Sequence, residues 1–307
     1  MIERVMILLR KIDLYFSKYI LRKKLIVRKV LNNKMYLDLV TDGISHSLAI
    51  HRIREADMTQ IIEKYVTKGM NILDVGSNIG YYPLLEASIL KESGKIYSFE
   101  PDPRNYRILL KNITLNEYDA IITPFNLAVF NKEGEEEMLL AEASNLSKLS
   151  STDDDNFLSK HKIERTYKVK TTTVDKFLSD KDFTPDFVRM DVEGNEVEIF
   201  QGMKNTLLNA SGGFRILLEL HPHSYSKDHD FGNELTKLFD TGFTTELIIS
   251  AGEPKPKKFV EFGYSPAFEI KSDGFVRGWY DNIPNKDAIE LTCYEPKVSR
   301  YILLKKN

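Results

Sequence analysis

The chain has one cysteine, Cys293, in 307 residues. It can therefore build no internal disulfide, no cysteine-based zinc site and no redox pair, which fits a reducing, cytoplasmic setting. It has no long apolar run. The apolar core at 5–9 is short and flanked by charge, and no small-residue cleavage site follows it. A signal peptide is therefore not expected, nor a bilayer-spanning helix. Internal repeats and low-complexity tracts are missing too. With 42% hydrophobic and 29% charged residues, the composition argues for a folded globular chain rather than disorder.

A strong excess of one charge is also missing, but only on average. Residues 1–31 hold nine Lys/Arg against Glu3 and Asp13, about +7, which leaves 34 basic against 43 acidic residues, about −9, in the rest. An acidic body is a poor partner for a polyanion, so a nucleic-acid substrate is disfavoured. In the basic start, Ile2, Val5, Leu9, Ile12, Phe16 and Tyr19 recur at steps of three and four, one face of a helix. Two readings follow. The helix packs on the main domain or on a second subunit, or it lies on an anionic membrane surface.

Along the chain, 34–50 reads as short β segments with a turn at Asp42-Gly43, and 53–68 as a helix with Met58, Ile61, Ile62 and Tyr65 on one face. Strand–helix units follow: strand 71–75, helix 79–90, strand 95–100, helix 103–115 and strand 121–129. A hairpin arm is expected at 131–140, and a solvated acidic loop, with a metal cluster as the alternative reading, around Asp153, Asp154 and Asp155. Strand 167–172 and a short helix 173–178 come next. The alternation resumes with strand 187–192, helix 196–209, strand 214–220, helix 231–239, strand 244–250 and a last strand 301–305. This pattern implies a doubly wound, mostly parallel sheet. The expected organisation is a basic helix with short β segments over 1–50 and one α/β domain over 51–307. An insert at about 251–299, rich in Pro, Gly and aromatic residues, reads as a binding region or lid.

Two phosphate signatures are absent. Neither G-x-G-x-x-G nor G-x-x-x-x-G-K-[ST] occurs in NILDVGSNIGYYPLLEASIL, residues 71–90. The pattern is D-x-G-x-N-x-G: Asp74, Gly76, Asn78 and Gly80. An aspartate at the strand tip disfavours phosphate and suits an ammonium or another donor, while the glycines permit close backbone approach. Glu100, in SFEPDP, ends the next strand, where a carboxylate can accept ribose hydroxyls. A nucleoside joined to a cationic tail without phosphate describes S-adenosylmethionine. Further on, DFVRMDVEGNEVEIFQGM places Arg189, Asp191 and Glu193 on one side of a strand by alternation, and LLELHPH does the same for Glu219 and His221. The carboxyl ends of these strands face the cofactor side of an open α/β sheet.

In order and spacing, LDVGSNIGYY, SFEPDPRNYRILLKNITLN, NLAV, TTTVDKFL, VRMDVEGNEVEIFQGM and LLELH resemble the FkbM-type family of S-adenosylmethionine-dependent methyltransferases, over about residues 50–245. The resemblance implies a class I (Rossmann-like) fold, a seven-stranded sheet whose last strand, RYILLKK, is antiparallel. It also implies O-methylation of a sugar or another small-molecule hydroxyl. Arg189 stands where the family commonly has Lys, and Ser77 where it commonly has Ala. The cofactor-side candidates are Asp74, Gly76, Ser77, Asn78, Gly80, Tyr81, Glu100, Pro101, Asn105, Asn126, Ala128 and Asp191. Asp74 is expected at the amino-acid tail, directly or through the turn, and Asn126 or Ala128 beside the adenine.

His221, Asp191, Glu193 and Glu219 are the catalytic candidates. His221 is the expected general base, because its reference pKa lies near neutrality. A divalent cation held by Asp191 and Glu219 is the alternative route to a deprotonated hydroxyl. The competing functions are a methyltransferase acting on protein or nucleic acid, and a cofactor-binding partner subunit without catalysis.

Overall fold

The computed structural model describes residues 2–40, 43–141, 148–149, 163–295 and 298–307. Its strands are β1 (Leu25–Val30), β2 (Asn33–Asp38), β3 (Asn71–Val75), β4 (Lys95–Phe99), β5 (Ile122–Phe125), β6 (Ala128–Val129), β7 (Gly134–Ala141), β8 (Lys148–Leu149), β9 (Ile163–Thr172), β10 (Phe187–Met190), β11 (Arg215–Glu219), β12 (Phe243–Ser250), β13 (Phe268–Ser272), β14 (Phe275–Asp281) and β15 (Ser299–Lys306). The main sheet has the order β13-β14-β12-β15-β11-β10-β3-β4-β5. From β12 to β5 this is the expected seven-stranded class I arrangement. The strands β11, β10, β3, β4 and β5 pair in parallel, and β15 runs antiparallel between β11 and β12. The insert adds β14 and β13 as an antiparallel edge beyond β12, which makes nine strands.

The central strands are apolar because helices cover both faces. Ile72, Leu73 and Val75 of β3 and all four residues of β10 are buried. The helix at Pro103–Leu115 starts where Asp102 caps the Arg104 amide at 2.8 Å, with Pro103 in the first turn. Each fully buried Leu or Ile in this core contributes about 1.5–3 kcal/mol. Ile26, Met35, Leu37 and Leu48 of the N-terminal part join the same cluster as Ile72, Leu84 and Ile96.

Several elements depart from the sequence pattern. Residues 44–50 are not β: the helix Ile44–His51 occupies them, burying Ile44, Leu48 and Ala49. Asp42, of the expected turn, lies outside the described residues. The expected strand 121–129 splits at Asn126-Leu127, with β5 in the main sheet and β6 in a second sheet of order β6-β9-β7-β8. The hairpin arm is thus part of a four-stranded sheet, with β7 antiparallel to both β8 and β9. The acidic run Asp153–Asp155 lies outside the described residues. Helix 196–209 breaks at Gly202 into Glu196–Gln201 and Lys204–Leu208. There the chain passes so close to Phe130 that a Cβ would sit 2.1 Å from its carbonyl oxygen.

The N-terminal helix, Ile2–Tyr15, is inverted relative to its apolar face. Val5, Leu9, Ile12, Phe16 and Tyr19 are each about half exposed. Leu14, together with Arg10 through its bond to the Ile50 carbonyl, holds the helix to the domain.

Candidate active site

The tips of β3, β4 and β10 stand side by side, because Val75 pairs with Phe99 on one flank and Met190 on the other. The turn after β3 is pinned from both neighbours. The Gly76 and Ser77 amides donate to the Phe99 carbonyl, each at 3.0 Å, and the Asp191 amide donates to the Val75 carbonyl at 3.0 Å. Gly76 has φ +84°, and a Cβ there would lie 1.9 Å from the Asp191 carbonyl oxygen. Only glycine serves in this turn. Asn78 also takes a left-handed conformation, φ +50°, and its amide donates to Glu100 Oε2 at 2.6 Å.

A cleft of about 650 Å³ opens over this turn. Its floor is Gly76 and Asn78. Glu100, Pro101 and Asn105 stand at one end, and Asp191, Glu193 and Asn195 at the other. Leu127, Val129, Met138 and Leu149 supply an apolar wall, the last three from the second sheet. Ala128 lines the cleft as well, so seven cofactor-side candidates meet there: Gly76, Asn78, Glu100, Pro101, Asn105, Ala128 and Asp191. Glu100 also accepts the Asp102 amide at 2.8 Å, and burial with Asp102 nearby pushes its carboxyl up to about 8.

The other five candidates do not line the cleft. Asp74 is fully buried beneath the turn. Ser98 Oγ donates to Ser77 Oγ at 2.6 Å, and Ser77 Oγ to Asp74 Oδ1 at 2.5 Å, so both Asp74 and Ser77 brace the turn from below. Arg189 Nη1 lies 3.7 Å from Asp74 Oδ2. Asp74 therefore cannot reach a ligand's tail directly, and burial raises its pKa. The carboxylates that do face the cleft are Glu100, Asp191 and Glu193. Gly80 turns toward Leu109, and the Tyr81 hydroxyl bonds to Arg54 and Thr59. Asn126 Nδ2 donates to the Glu100 and Pro101 carbonyls at 2.8 and 3.0 Å, shaping the loop.

The residues after β10 and β11 do converge. Arg189, fully buried, donates to the Gly76 carbonyl and to Asp191 Oδ2, each at 2.9 Å, and lies over the Tyr82 ring. Glu193, at φ +52°, brings its carboxylate 3.5 Å from His221 Nε2, while His221 Nδ1 is 2.6 Å from Glu196 Oε1. Although burial disfavours its charge, Glu196 and Glu193 push the imidazole up to about 10. The expectation that His221 titrates near neutrality therefore fails: two carboxylates hold it protonated. Burial pushes Glu193 up to about 7, with His221 pulling the other way. Glu219 pairs with Arg300 at 3.1 Å, and burial with Asp191 nearby pushes it up to about 8.

A second cavity, about 450 Å³, lies on the other side of the turn, between Arg54, Tyr82, Arg189 and Glu219. It shares Gly76, Asn78, Asp191 and Glu193 with the first cleft. Arg54 and Glu55 carry it on into an outer cavity bordered by His51, Phe275, Arg277 and Arg300.

The methyltransferase FkbM domain model matches residues 74–245, which takes in both strand tips, the MDVEG turn and LLELH. The chain belongs to the FkbM methyltransferase family. Among proteins it resembles is the hexuronic acid methyltransferase AglP of Haloferax volcanii, 26% identical over 204 residues, 64% of this chain and 75% of that protein. Solved structures that resemble it include an FkbM methyltransferase from Methylobacillus flagellatus, at 14% identity and TM-score 0.42 over 70% of this chain and 44% of that one. Another is an S-adenosylmethionine-dependent O-methyltransferase from Thermotoga maritima, at 12% identity and TM-score 0.41, covering 92% and 77%.

In this FkbM-family chain, sequence reasoning passed over Arg54, Glu55, Tyr82, Glu196 and Arg300. Glu196 is the third acid of MDVEGNE, after Asp191 and Glu193, and could have been found there. Arg54 and Glu55 carried no signal, because they precede the motif and meet it only in space. Burial would raise the Glu55 carboxyl, but Arg54 and Arg300 outweigh it and bring it down to about 2. The expected cation pair Asp191 and Glu219 is not the grouping found. Asp191, Glu193 and His221 place one ligand atom each within 4.8 Å of one another. A protonated imidazole is no ligand, so a metal there must first displace the His221 proton. The aromatics of the insert mostly pack: Phe259 stacks on Tyr280 at 4.1 Å and Phe268 on Trp279 at 4.8 Å, while Phe275 borders the outer cavity.

Proposed function

We propose that this chain is an S-adenosylmethionine-dependent O-methyltransferase whose acceptor is a hydroxyl of a sugar, a glycan or a related small molecule. The observation that carries the reading is the wall shared by the two cavities: Gly76, Asn78, Asp191 and Glu193 face both. A cofactor in the cleft and an acceptor in the second cavity would meet there and nowhere else among the described cavities. The donor set fits this cofactor. Glu100 keeps a lone pair for a ribose hydroxyl after accepting two backbone amides and the Asn105 side chain, the carboxylates suit a cationic tail, and the apolar wall suits a base. Gly76, with no side chain, leaves the floor open. Family membership supports methyl transfer, and the hexuronic acid specificity named for the Haloferax relative supports a sugar acceptor.

When bound, S-adenosylmethionine supplies an electrophilic methyl group on a positively charged sulfur. Asp191, fixed by Arg189, orients the donor side. Glu193 is the general base. Its carboxylate faces both cavities, and a pKa near 7 suits proton abstraction at neutral pH. His221, clamped by Glu196, is a positioning residue that keeps Glu193 in place. Arg54 and Arg300 line the acceptor's approach and suit a carboxylate or hydroxyl-rich sugar.

Calorimetry with S-adenosylmethionine tests the donor half. Wild type binds, and Glu100→Ala weakens binding at least about tenfold; equal binding by the variant would sink the assignment. Release of S-adenosylhomocysteine over a panel of neutral and acidic sugar glycosides tests the acceptor half, with turnover expected to persist in the presence of a chelator.

A further inference from the structure

The outward face of the N-terminal helix is unexplained by the fold. At about 100° per residue, Ile7, Arg10 and Leu14 share the side that meets the domain. Val5, Leu8, Leu9, Ile12 and Tyr15 fall on the opposite side, and each is more than half exposed. Phe16, Tyr19, Ile20 and Leu21 continue the stripe through the π turn Phe16–Ile20, at 49% exposure or more. A helix on a globular domain normally turns such a stripe inward, and a contiguous outward stripe marks an interaction surface.

Charge decides between occupants. Arg4 and Lys11 flank the stripe, and Arg22, Lys23 and Lys24 stand exposed at its end. The acids of this segment are Glu3 and Asp13, and Asp13 is paired with Arg28. A second copy of the chain would bring this basic rim against itself. An anionic bilayer offers the opposite charge beside an apolar interior. No described helix is long and apolar enough to cross a membrane, so the segment would lie on the surface. We infer that residues 2–24 dock the protein on an anionic membrane, with the apolar stripe at the acyl boundary and the basic rim on the headgroups. Glu3 borders the outer cavity, so docking would hold that mouth beside the lipid headgroups.

Vesicle sedimentation tests this without reference to catalysis. The full chain should pellet with phosphatidylcholine vesicles containing phosphatidylglycerol, weakly with phosphatidylcholine alone, and less as salt rises. Leu8→Ser/Ile12→Ser should lower the partition coefficient at least about tenfold. Arg22→Gln/Lys23→Gln/Lys24→Gln should do the same through charge. Circular dichroism and thermal melting matching wild type would show both variants folded, since these side chains touch solvent. Absence of binding to the anionic vesicles, or undiminished binding by either variant, overturns the inference. So does a wild-type dimer in analytical ultracentrifugation that Leu8→Ser/Ile12→Ser converts to monomer, because the stripe would then belong to a second copy.

Discussion

At position 221 the neighbours, rather than the residue type, decide the chemistry. His221 sits between Glu196 and Glu193, whose charges favour its protonated form, and for that reason the proposed mechanism uses Glu193 as the base. Glu193 must be ionised to take a proton, so kcat/KM should rise with pH through about 7 and level off above it. His221→Gln removes the charge that favours the Glu193 carboxylate. The rising limb should then move up by about one pH unit, whereas a residue with only a packing role would leave it in place. Glu193→Gln should lose the limb and about 100-fold in kcat while still binding cofactor. Both outcomes are read from pH profiles with an acceptor that supports turnover. At the turn itself, Gly76→Ala should cost about 2–4 kcal/mol in urea unfolding, since its Cβ would overlap the Asp191 carbonyl at a positive φ. The spacing of Gly76, Asn78 and Glu100 was legible because each sits at a strand tip, where chain order predicts place. The role of Asp74 was not: the apolar run placed it at the tip of a strand, but did not tell that Ser77 and Arg189 would close over it.

At the scale of elements, strand–helix alternation is readable from local pattern, and the seven central strands follow from it. The insert is different. Its hairpin β13–β14 extends the sheet, and its anchor is a buried pair 220 residues apart, Arg277 Nη1 to Asp57 on the helix Ala56–Tyr65. Ser272 Oγ donates to the same aspartate at 2.7 Å. No local signal announces such a contact, so the extension of the sheet could not be told from a binding region or lid. Arg277→Met should destabilise the protein by about 3–5 kcal/mol, because Asp57 then keeps a buried charge without its cation. The double variant Asp57→Asn/Arg277→Met should recover part of that loss. Urea unfolding of the two variants and of wild type measures the coupling, and equal losses in single and double variants would show that the hairpin's place does not depend on the pair.

Over the whole molecule, the buried acids divide into two groups with opposite pH dependence. Glu55 joins distant parts of the chain: it pairs with Arg54 and Arg300, accepts from the Tyr82 hydroxyl, and its amide donates to Asp273. Its pKa falls from 4.5 to about 2 on folding. The associated stability, about 3 kcal/mol, is present above pH 4.5 and lost as pH falls toward 2. Glu100, Glu193 and Glu219 behave oppositely. Their pKa values rise from 4.5 to about 8, 7 and 8, so between those limits the folded state binds more protons than the unfolded chain. Rising pH therefore removes stability there. Stability should peak near pH 5, on the acid side of the pH at which Glu193 ionises. Under the proposed mechanism the site would work where the fold is past its optimum, as expected if these acids are buried for chemistry rather than for stability. Urea unfolding between pH 3 and 9 tests this. Wild type should show the maximum near pH 5, Glu100→Gln should flatten the alkaline decline, and Glu55→Gln should remove most of the acid limb. A stability that climbed steadily to pH 8 would mean that the cleft carboxylates ionise freely in the folded protein, and the base assigned to Glu193 would lose its tuned pKa with them.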